Sequence, residues 1–594
     1  MTIPKARVLV GANGLPLVPQ SVEQIHLCIG TATSGPMMTP RLVQYDNLVD
    51  TFKGGYGVKA AAYVTSRTEA PVIFVRIPAT ARPAEFKVSL ANWTGGIGIA
   101  VTGSPSLFTA IVVKTINPGV VGVAGITYQI SLDGGETFGS TETLDVSTAI
   151  VTSGVTITFT ATQAFSGDFY VLAMPASASV YGTVVTKDGA SGAITLTGTP
   201  IDQYEALVEV VKGGKAGTEG ITIRYSLDGG RSFSATMRMG TGLTKNLVDY
   251  VGSGYTVESG LVFTLVLDAT YAVGDKIVAR TMPPETQVSD VILALQAVDD
   301  EQKYAAKYSF AHAVGNHGGF SDLQAMHAKM MALEADNSFS FVLTSARDQG
   351  TGEPRAEWEA ALENIAAPLD TNRAAATAGY ARIADPCGGW FLRRPVAFRT
   401  AERLVARPVP EALHDFSVGS VDDCDIFDTD GAVVEYDARL SSTLHDARYI
   451  TLRTRKQRSG VFYTGCPTLA APVGTGQVAP VVIPYRRILD ISSAVLQQYG
   501  EDQLGRGILF ANPSTGLPDE AGAQTFDAGL NAAITAAVGV NGGVAPGALA
   551  VQSRLSRTDP LTGSNAKLKT KVRIVPIPLV GSFEGEIALS KRLN

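Results

Sequence analysis

The sequence GITYQISLDGGETF (Gly125–Phe138) returns 95 residues later as GITIRYSLDGGRSF (Gly220–Phe233). Another pair of segments has the same offset: IAVTGSP, from Ile99, matches ITLTGTP, from Ile194. Beyond these segments the offset between the two copies increases by 11 residues, so that SGVTITF, from Ser153, matches SGLVFTL, from Ser259. A repeat this long indicates a tandem duplication of one structural unit.

Each copy is rich in Val, Ile and Thr, which alternate with polar residues between glycine-bounded turns. Alternation with a period of two is typical of half-buried strands. The pattern therefore predicts two tandem small antiparallel β-sandwich domains, at residues 86–182 (the first unit) and 183–285 (the second unit).

The words SLDGGETF and SLDGGRSF also resemble the Asp-box of sialidases and related β-propellers. A propeller blade needs only about 40–50 residues and several blades must close a ring, so two boxes 95 residues apart do not make one. Asp-Gly-Gly is itself a strong hairpin-turn signal. A turn used twice is the favoured interpretation, and a sugar-binding role is the alternative. Residues 86–284 contain no His and no Cys, and their carboxylates are scattered.

The segments on either side of the duplication have a different pattern. Apolar strands are predicted at Ile25–Gly30 and Ala70–Ile77, with a helix near Asn47–Phe52. After the duplication, the sequence predicts helices capped by Ser289 and Ser321, a strand in SFSFVLTS, and helices in EPRAEWEAALENIAA and NRAAATAGYARIAD (Asn372–Asp385). The duplicated module thus interrupts an α/β (α+β) core, predicted at residues 21–85 plus 286–447.

Composition excludes several classes of protein. No apolar run reaches the roughly 18 residues of a membrane helix, so no stable membrane insertion is expected. Four cysteines lie far apart without a CxxC motif, which favours reduced thiols. From Arg448 onward 16 Lys and Arg face 9 Asp and Glu, a charge of +7, whereas the whole chain carries −7 and the remainder therefore −14. A basic segment on an acidic protein suggests an acidic partner, but no nucleic-acid motif accompanies it.

Candidate sites are few. His312, His317 and His327 cluster in the sequence without the i, i+4 spacing of a helical zinc site, so packed or surface histidines are expected. The stretch RTRKQR, with Arg453, Arg455 and Arg458, is interpreted as an inter-subunit or solvated salt-bridge strand rather than a phosphate patch. There is no GxSxG elbow and no GxxxxGK[ST] loop. We therefore predict no catalytic, cofactor-binding or metal-binding residues, no cofactor, and no enzyme activity.

A family resemblance rests on the two ends of the chain. The N-terminal pattern is IGTATSGPMMTP, FKGGYG and APVIFVRI; the C-terminal one is RSGVFYTGCPTLAA, VIPYRRILDISSAVLQQYG and the final LSRTDPLTGSNAKLKTKVRIVPIPLVGSFEGEIALSKRLN. In this order they resemble tail sheath proteins of contractile bacteriophage tails and related injection machines. The resemblance covers residues 21–80 and 450–594 well, 286–450 loosely, and the duplicated units not at all.

The resemblance implies a structural subunit that forms stacked hexameric rings around a tail tube and contracts without nucleotide hydrolysis. Its implied partners are copies of itself, the tail tube protein, and baseplate and tail terminator proteins, with no nucleic acid. The implied location is the virion tail, after synthesis in the host cytoplasm. Residues 1–20 are then an exchanged N-terminal arm, and residues 448–594 a C-terminal sheath domain that ends in a strand arm. The alternative function is a carbohydrate-binding or hydrolytic tail-fibre or baseplate protein that uses the Asp-box-like units.

Overall fold

The computed structural model describes residues 25–576 of this 594-residue chain, with internal gaps. The gaps are at residues 80–84, 97, 104–108, 133–136, 175–183, 189–193, 218–219, 251–255, 302, 306, 350–353, 416, 418, 427–442, 456–457, 472–480, 503–511, 513, 540–547 and 560–567. The predicted N-terminal arm at residues 1–20 lies outside the described residues, as do residues 577–594 of the predicted C-terminal arm.

The first elements of the α/β core are strands and helices with almost completely buried apolar faces. They are β1 (His26–Gly30), β2 (Arg41–Val43), α1 (Tyr45–Phe52), α2 (Tyr56–Thr68) and β3 (Val72–Arg76). Helix α2 approaches β1 very closely, because Gly57 lies against Gly30 with no room for a Cβ atom on either residue. Lys59, two residues further along α2, is also fully buried.

The two units that follow have the same strand order. The first contains β4 (Glu85–Trp93), β5 (Ile99–Gly103), β6 (Thr109–Asn117), β7 (Gly119–Val120), β8 (Thr127–Ser131), β9 (Glu142–Thr143), β10 (Ala149–Thr152), β11 (Val155–Phe159), β12 (Ala164–Phe165) and β13 (Gly167–Met174). The second contains β14 (Val184–Asp188), β15 (Ile194–Gly198), β16 (Glu205–Lys212), β17 (Gly214–Lys215), β18 (Thr222–Ser226), β19 (Met237–Arg238), β20 (Thr244–Tyr250), β21 (Thr256–Leu265), β22 (Thr270–Tyr271) and β23 (Lys276–Thr281).

Their sheets match strand for strand. The first unit forms sheets β4-β13-β6-β8-β9, β10-β11-β5 and β12-β7, and the second forms β14-β23-β16-β18-β19, β15-β21-β20 and β17-β22. Every strand pair in these sheets is antiparallel. The apolar cluster of the first unit contains only residues of that unit, around Trp93 and Phe165. The cluster of the second unit also includes Trp390 and Leu392 of the core.

The core resumes after the second unit. Its elements are α3 (Val288–Asp300), β24 (Phe310–Ala313), α4 (Phe320–Ala335), β25 (Phe341–Ser345), α5 (Arg355–Ala366), β26 (Ala374–Thr377), β27 (Tyr380–Ala384), β28 (Phe391–Pro395), α6 (Val396–Ala406), β29 (Cys424–Ile426), α7 (Thr443–Asp446) and β30 (Tyr449–Ile450). One seven-stranded sheet, β2-β3-β1-β24-β25-β26-β30, unites both halves of the core, and only the β2–β3 pair is antiparallel. The overall class is therefore α+β, as the sequence predicted in general terms.

Two predictions about this region are wrong. The helix predicted over Asn372–Asp385 is instead strands β26 and β27, separated at Gly379, whose φ is +88°. The alanines of β26 are fully buried between β25 and β30, so sheet pairing overrides their helix propensity. The predicted caps are also shifted, because α3 and α4 begin before the two serines, with Gln287 and Gly319 at the N-cap positions.

The C-terminal segment contains β31 (Leu452–Arg455), β32 (Arg458–Tyr463), α8 (Ile483–Glu501), α9 (Glu520–Gly539), β33 (Ala548–Leu555) and β34 (Thr570–Pro576). Helices α8 and α9 share a small apolar cluster with β33 and β34. The predicted terminal strand thus has a local partner at its start, because β34 pairs antiparallel with β33 of the same chain. The strand arm expected at the end of the chain therefore begins as one strand of a local hairpin.

Candidate functional site: a buried charge cluster between the second unit and the core

The Asp-Gly-Gly turn of the second unit is a self-contained hydrogen-bonded structure. The Oδ1 atom of Asp228 accepts from the Ser226 hydroxyl at 2.7 Å and from the backbone N–H groups of Arg231 and Ser232 at 3.0 and 2.9 Å. Gly229 and Gly230 have φ values of +77° and +92°, which favour glycine. Asp228 is completely buried. The counterpart Asp133 lies outside the described residues.

The same turn docks the second unit onto the core. The docking hairpin, β27–β28 with its connecting loop (residues 380–395), contributes the contacts. Asp228 Oδ2 accepts from the backbone N–H of Phe391 at 3.2 Å, and the Asp228 carbonyl accepts from Arg382 at 3.0 Å. Arg382 also pairs with Glu205, at the start of β16. The Asp-box-like turn is therefore an intramolecular joint in this unit.

Beneath this joint lies a charge cluster of five side chains: Lys59, Asp202, Asp249, Asp385 and Arg394. The Lys59 ammonium is 2.6 Å from Asp249, 2.7 Å from Asp385 and 3.3 Å from Asp202. Arg394 pairs with Asp202 at 2.7 Å. All five side chains are at most 1% exposed.

Three separate parts of the fold supply the charge cluster. Lys59 comes from α2, Asp202 and Asp249 come from the second unit, and Asp385 and Arg394 belong to the docking hairpin. The Tyr204 hydroxyl adds a bond to Asp249 at 2.9 Å. The charge cluster thus ties the second unit to both halves of the core.

Electrostatics keep the cations of the charge cluster charged. Burial alone would lower the pKa of Lys59, but Asp249, Asp385 and Asp202 outweigh burial and raise that pKa well above its usual value. Burial raises the pKa of Asp249, against the opposing effect of Lys59. Three carboxylates against two cations leave a formal charge of −1 in the charge cluster.

A second polar cluster joins the core to the C-terminal segment. Arg373 donates to Asp490 of α8 at 2.6 Å and pairs with Glu334 of α4 at 2.6 Å. Arg486 also bonds Asp490, at 2.5 Å. The charge cluster places its buried charges between parts of the chain, which is suited to fixing geometry rather than to chemistry on a substrate. In the second cluster, Asp490 also lines a cavity together with Tyr308 and Arg487.

The structure separates the histidines that lie close in sequence. His312 is fully buried on β24, His317 contacts Thr286 at 2.8 Å, and His327 contacts Thr371 at 2.7 Å. Within the described residues, no group of three or more His, Cys, Asp or Glu side chains could hold a metal ion. Arg453 and Arg455 lie on β31, and Arg458 on β32, with Arg455 directly opposite Arg458.

The charge cluster was not predicted from the sequence. The one local signal is Lys59 itself, a single cation in the otherwise uncharged stretch GGYGVKAAAYVTS. Two of its three carboxylate partners, Asp249 and Asp385, are 190 and 326 positions away, so spacing along the chain does not show them.

Comparison with known protein families assigns this α+β chain to one of them. The chain belongs to the family described as "DUF2586, N-terminal domain", which matches residues 11–466. No curated protein matches it. Among solved structures it is similar to a chain of the anti-feeding prophage (AFP) baseplate, determined by cryo-EM with 6-fold symmetry, at 11% identity and a TM-score of 0.32 over 52% of this chain and 76% of that chain. None of the described helices is long and apolar enough to cross a membrane.

Proposed function

We propose that this protein is the subunit of a contractile tail sheath, which polymerises as stacked hexameric rings around a tail tube and drives that tube through a target cell envelope. Its location is then the virion tail, after assembly in the host cytoplasm. Its partners are its own copies, the tail tube protein, and baseplate and tail terminator proteins. In this proposal the two units are small β-sandwiches on the outside of the particle.

The observation that carries the proposal is the two-stranded sheet β33–β34. Within the described residues neither strand has a further strand neighbour, so each presents an open edge. An open edge can accept an extended segment of another chain by β-strand addition. The β33–β34 sheet is anchored to α9, where Asn531 accepts from the backbone N–H of Ser553 at 2.6 Å. Such an anchored edge is suited to linking neighbouring subunits.

The polar chemistry of the protein supports a structural, non-enzymatic role. The charge cluster is closed to solvent, and Asp228 is fully buried with both carboxylate oxygens already bonded within the chain. A carboxylate that acts on a sugar must reach its substrate. The buried turn of the second unit therefore favours the sheath over the alternative of a carbohydrate-binding or hydrolytic tail-fibre or baseplate protein.

Electron microscopy of the purified full-length protein tests the proposal directly. We expect regular tubes with striations from stacked rings. Compact trimers without tubes would contradict the sheath and favour a fibre or baseplate component. A variant that lacks residues 1–20 is the matched test of the exchanged arm: it should remain folded and soluble but form no tubes.

The basic C-terminal segment gives a second test, of the tube contact. Residues 448–594 carry +7, so we propose that part of this segment faces an acidic tail tube. Exposed pairs contribute only about 0–1 kcal/mol each, which lets a sheath release its tube on firing. Charge reversal at such positions should impair assembly on tubes but spare tube-free polymers. Equal loss of both would instead assign the basic residues to sheath–sheath contacts.

A further inference from the structure

A cavity of about 290 Å³ lies where the C-terminal helices meet the α/β core. One face of α8, which includes Asp490, lines this cavity, and Ala537 of α9 adds to the same side. The opposite wall comes from Tyr308 and Ser309, just before β24, and from Phe339, just before β25. Because β24 and β25 are parallel neighbours, the cavity lies at the amino ends of these two strands.

The lining of the cavity combines apolar walls with one buried acceptor. Phe339 and Val495 are among its apolar residues. Asp490 is 6% exposed, and its Oδ1 atom accepts from Arg373 and Arg486. Its Oδ2 atom is buried and has no hydrogen-bond partner within the described residues. Because a buried acceptor without a donor is unfavourable, the cavity is suited to an apolar group that brings a hydrogen-bond donor.

The charges around Asp490 favour a neutral donor. Arg373 and Arg486 pair with this carboxylate, and Arg487 also lines the cavity. With Glu334, which pairs with Arg373, three arginines face two carboxylates, a formal charge of +1. A further cation is repelled by this excess, so an amide or a hydroxyl group fits the cavity better than an ammonium group.

We infer that residues 17–24 of the same chain, the anchor segment, occupy this cavity and fix the start of the N-terminal region. The described part of the chain begins at Ile25. The carbonyl of Ile25 accepts from the backbone N–H of Ser309 at 2.9 Å and from its hydroxyl at 3.3 Å. Since Ser309 lines the cavity, the preceding chain starts at the cavity wall, and eight extended residues reach about 26–29 Å from there.

The anchor segment, LVPQSVEQ, has the chemistry that the cavity requires. It contains no Lys or Arg, and its apolar residues and neutral donors are Leu17, Val18 and Val22, and Gln20, Ser21 and Gln24. Because the segment is covalently attached beside the cavity, its local concentration is high and modest contacts suffice. Residues 1–16 stay available for exchange between subunits, and the anchor does not depend on that exchange.

Hydrogen–deuterium exchange of the full-length protein, followed by mass spectrometry at a concentration where it is monomeric, tests the anchor. Amides of residues 20–24 should exchange at least about ten-fold more slowly than in a free peptide of residues 15–24, a factor that burial of one Val or Leu side chain supplies. Ala537→Trp fills the cavity and should abolish this protection without lowering the melting temperature. Ala536→Trp is the matched control, because Ala536 is exposed on α9 and is not among the residues that line the cavity.

A second variant decides the outcome if Ala537→Trp disturbs the packing of α9. Replacement of the three apolar residues of the anchor segment by Asp leaves the cavity unchanged and should also abolish the protection. The same replacement at Val8, Leu9 and Val10 should leave the protection intact. Unchanged protection in the first of these variants would overturn the inference.

Other results would also overturn the inference: exchange at the free-peptide rate in the unmodified protein, or an equal loss of protection in both tryptophan variants. Protection that grows with protein concentration would assign the anchor segment to another copy instead. Microscopy keeps this inference separate from the proposed function. Striated tubes from a protein with unprotected amides would leave the sheath without the anchor, and protected amides without tubes would leave the anchor without the sheath.

Discussion

At the scale of single residues, Lys59 shows how a buried charge can define an arrangement of chain segments. Removing a cation from water is costly, and its ion pairs often do no more than compensate. Removing one partner of a buried ion pair strongly lowers stability, because the remaining charge stays buried and unpaired. Lys59 is surrounded by three carboxylates at 2.6–3.3 Å, so its side chain neutralises more than one neighbour.

We predict that Lys59→Met lowers the free energy of unfolding by about 3–5 kcal/mol, the range for breaking a buried ion pair. Chemical denaturation at neutral pH gives the measurement. Lys215→Met is the control, because Lys215 forms an exposed pair with Asp268; a change within about 0.5 kcal/mol is expected there. A similar small loss for both variants would show that the charge cluster tolerates the missing cation.

A second residue-scale prediction concerns His26 and His312, which lie on neighbouring strands β1 and β24. Both are fully buried, and none of their four ring nitrogens has a hydrogen-bond partner within the described residues. Burial lowers the pKa of each from 6.5 to about 3, and for His26 the neighbouring His312 adds to the effect. Between these pH values the unfolded chain binds protons that the folded protein does not.

The free energy of unfolding should therefore fall as the pH drops from 6.5 towards 3, by up to about 1.4 kcal/mol per pH unit for each histidine. Above pH 6.5 both side chains are neutral in both states and the effect disappears. The variant His26→Leu/His312→Leu should show a shallower pH dependence, measured by denaturation at pH 4.5, 5.5 and 8. The same slope in variant and parent protein would assign acid sensitivity to other groups.

At the scale of elements, the Asp-Gly-Gly hairpin performs two tasks with one carboxylate. Oδ1 of Asp228 closes its own turn, and Oδ2 holds the docking hairpin through Phe391. We predict that Asp228→Ala destabilises the protein by about 2–4 kcal/mol, because three backbone N–H groups and the Ser226 hydroxyl lose their shared acceptor. Glu258→Ala in the same unit is the control, since Glu258 is exposed on β21. Thermal and chemical denaturation provide the comparison, and a neutral Asp228→Ala would contradict the joint.

Elements that depend on local sequence signals could be predicted, whereas those that depend on contacts between distant residues could not. The duplication is visible because its segments repeat in the sequence, and local signals predict α5. The segment Asn372–Asp385 was not, because its alanines are helix formers that sheet pairing buries as β26. Only the turn at Asp228 could be predicted, because its signal is local. Its contact with Phe391 could not, because that residue is 163 positions away.

At the scale of the whole molecule, the two units have the same strand order but different relations to the core. The first unit has an apolar cluster formed by its own residues alone. The second shares its cluster with Trp390 and Leu392 and contributes two of the five members of the charge cluster. Among the described residues, the buried charge cluster links the second unit, and not the first, to the core.

We therefore predict opposite results from two excisions, each closed with a short Gly/Ser linker. Removal of residues 86–182 should leave a cooperatively folding protein, because no member of the charge cluster is lost. Removal of residues 183–285 should cause misfolding or a large loss of stability, because Lys59 loses two of its three carboxylates and Arg394 loses Asp202. Circular dichroism and thermal unfolding distinguish the outcomes. Adding Arg394→Met to the second excision should restore part of the lost stability, since Arg394 has then lost the carboxylate with which it pairs, whereas Lys59 keeps Asp385. If both excisions fold equally well without this substitution, the second unit is as independent as the first, and the charge cluster does not hold it to the core.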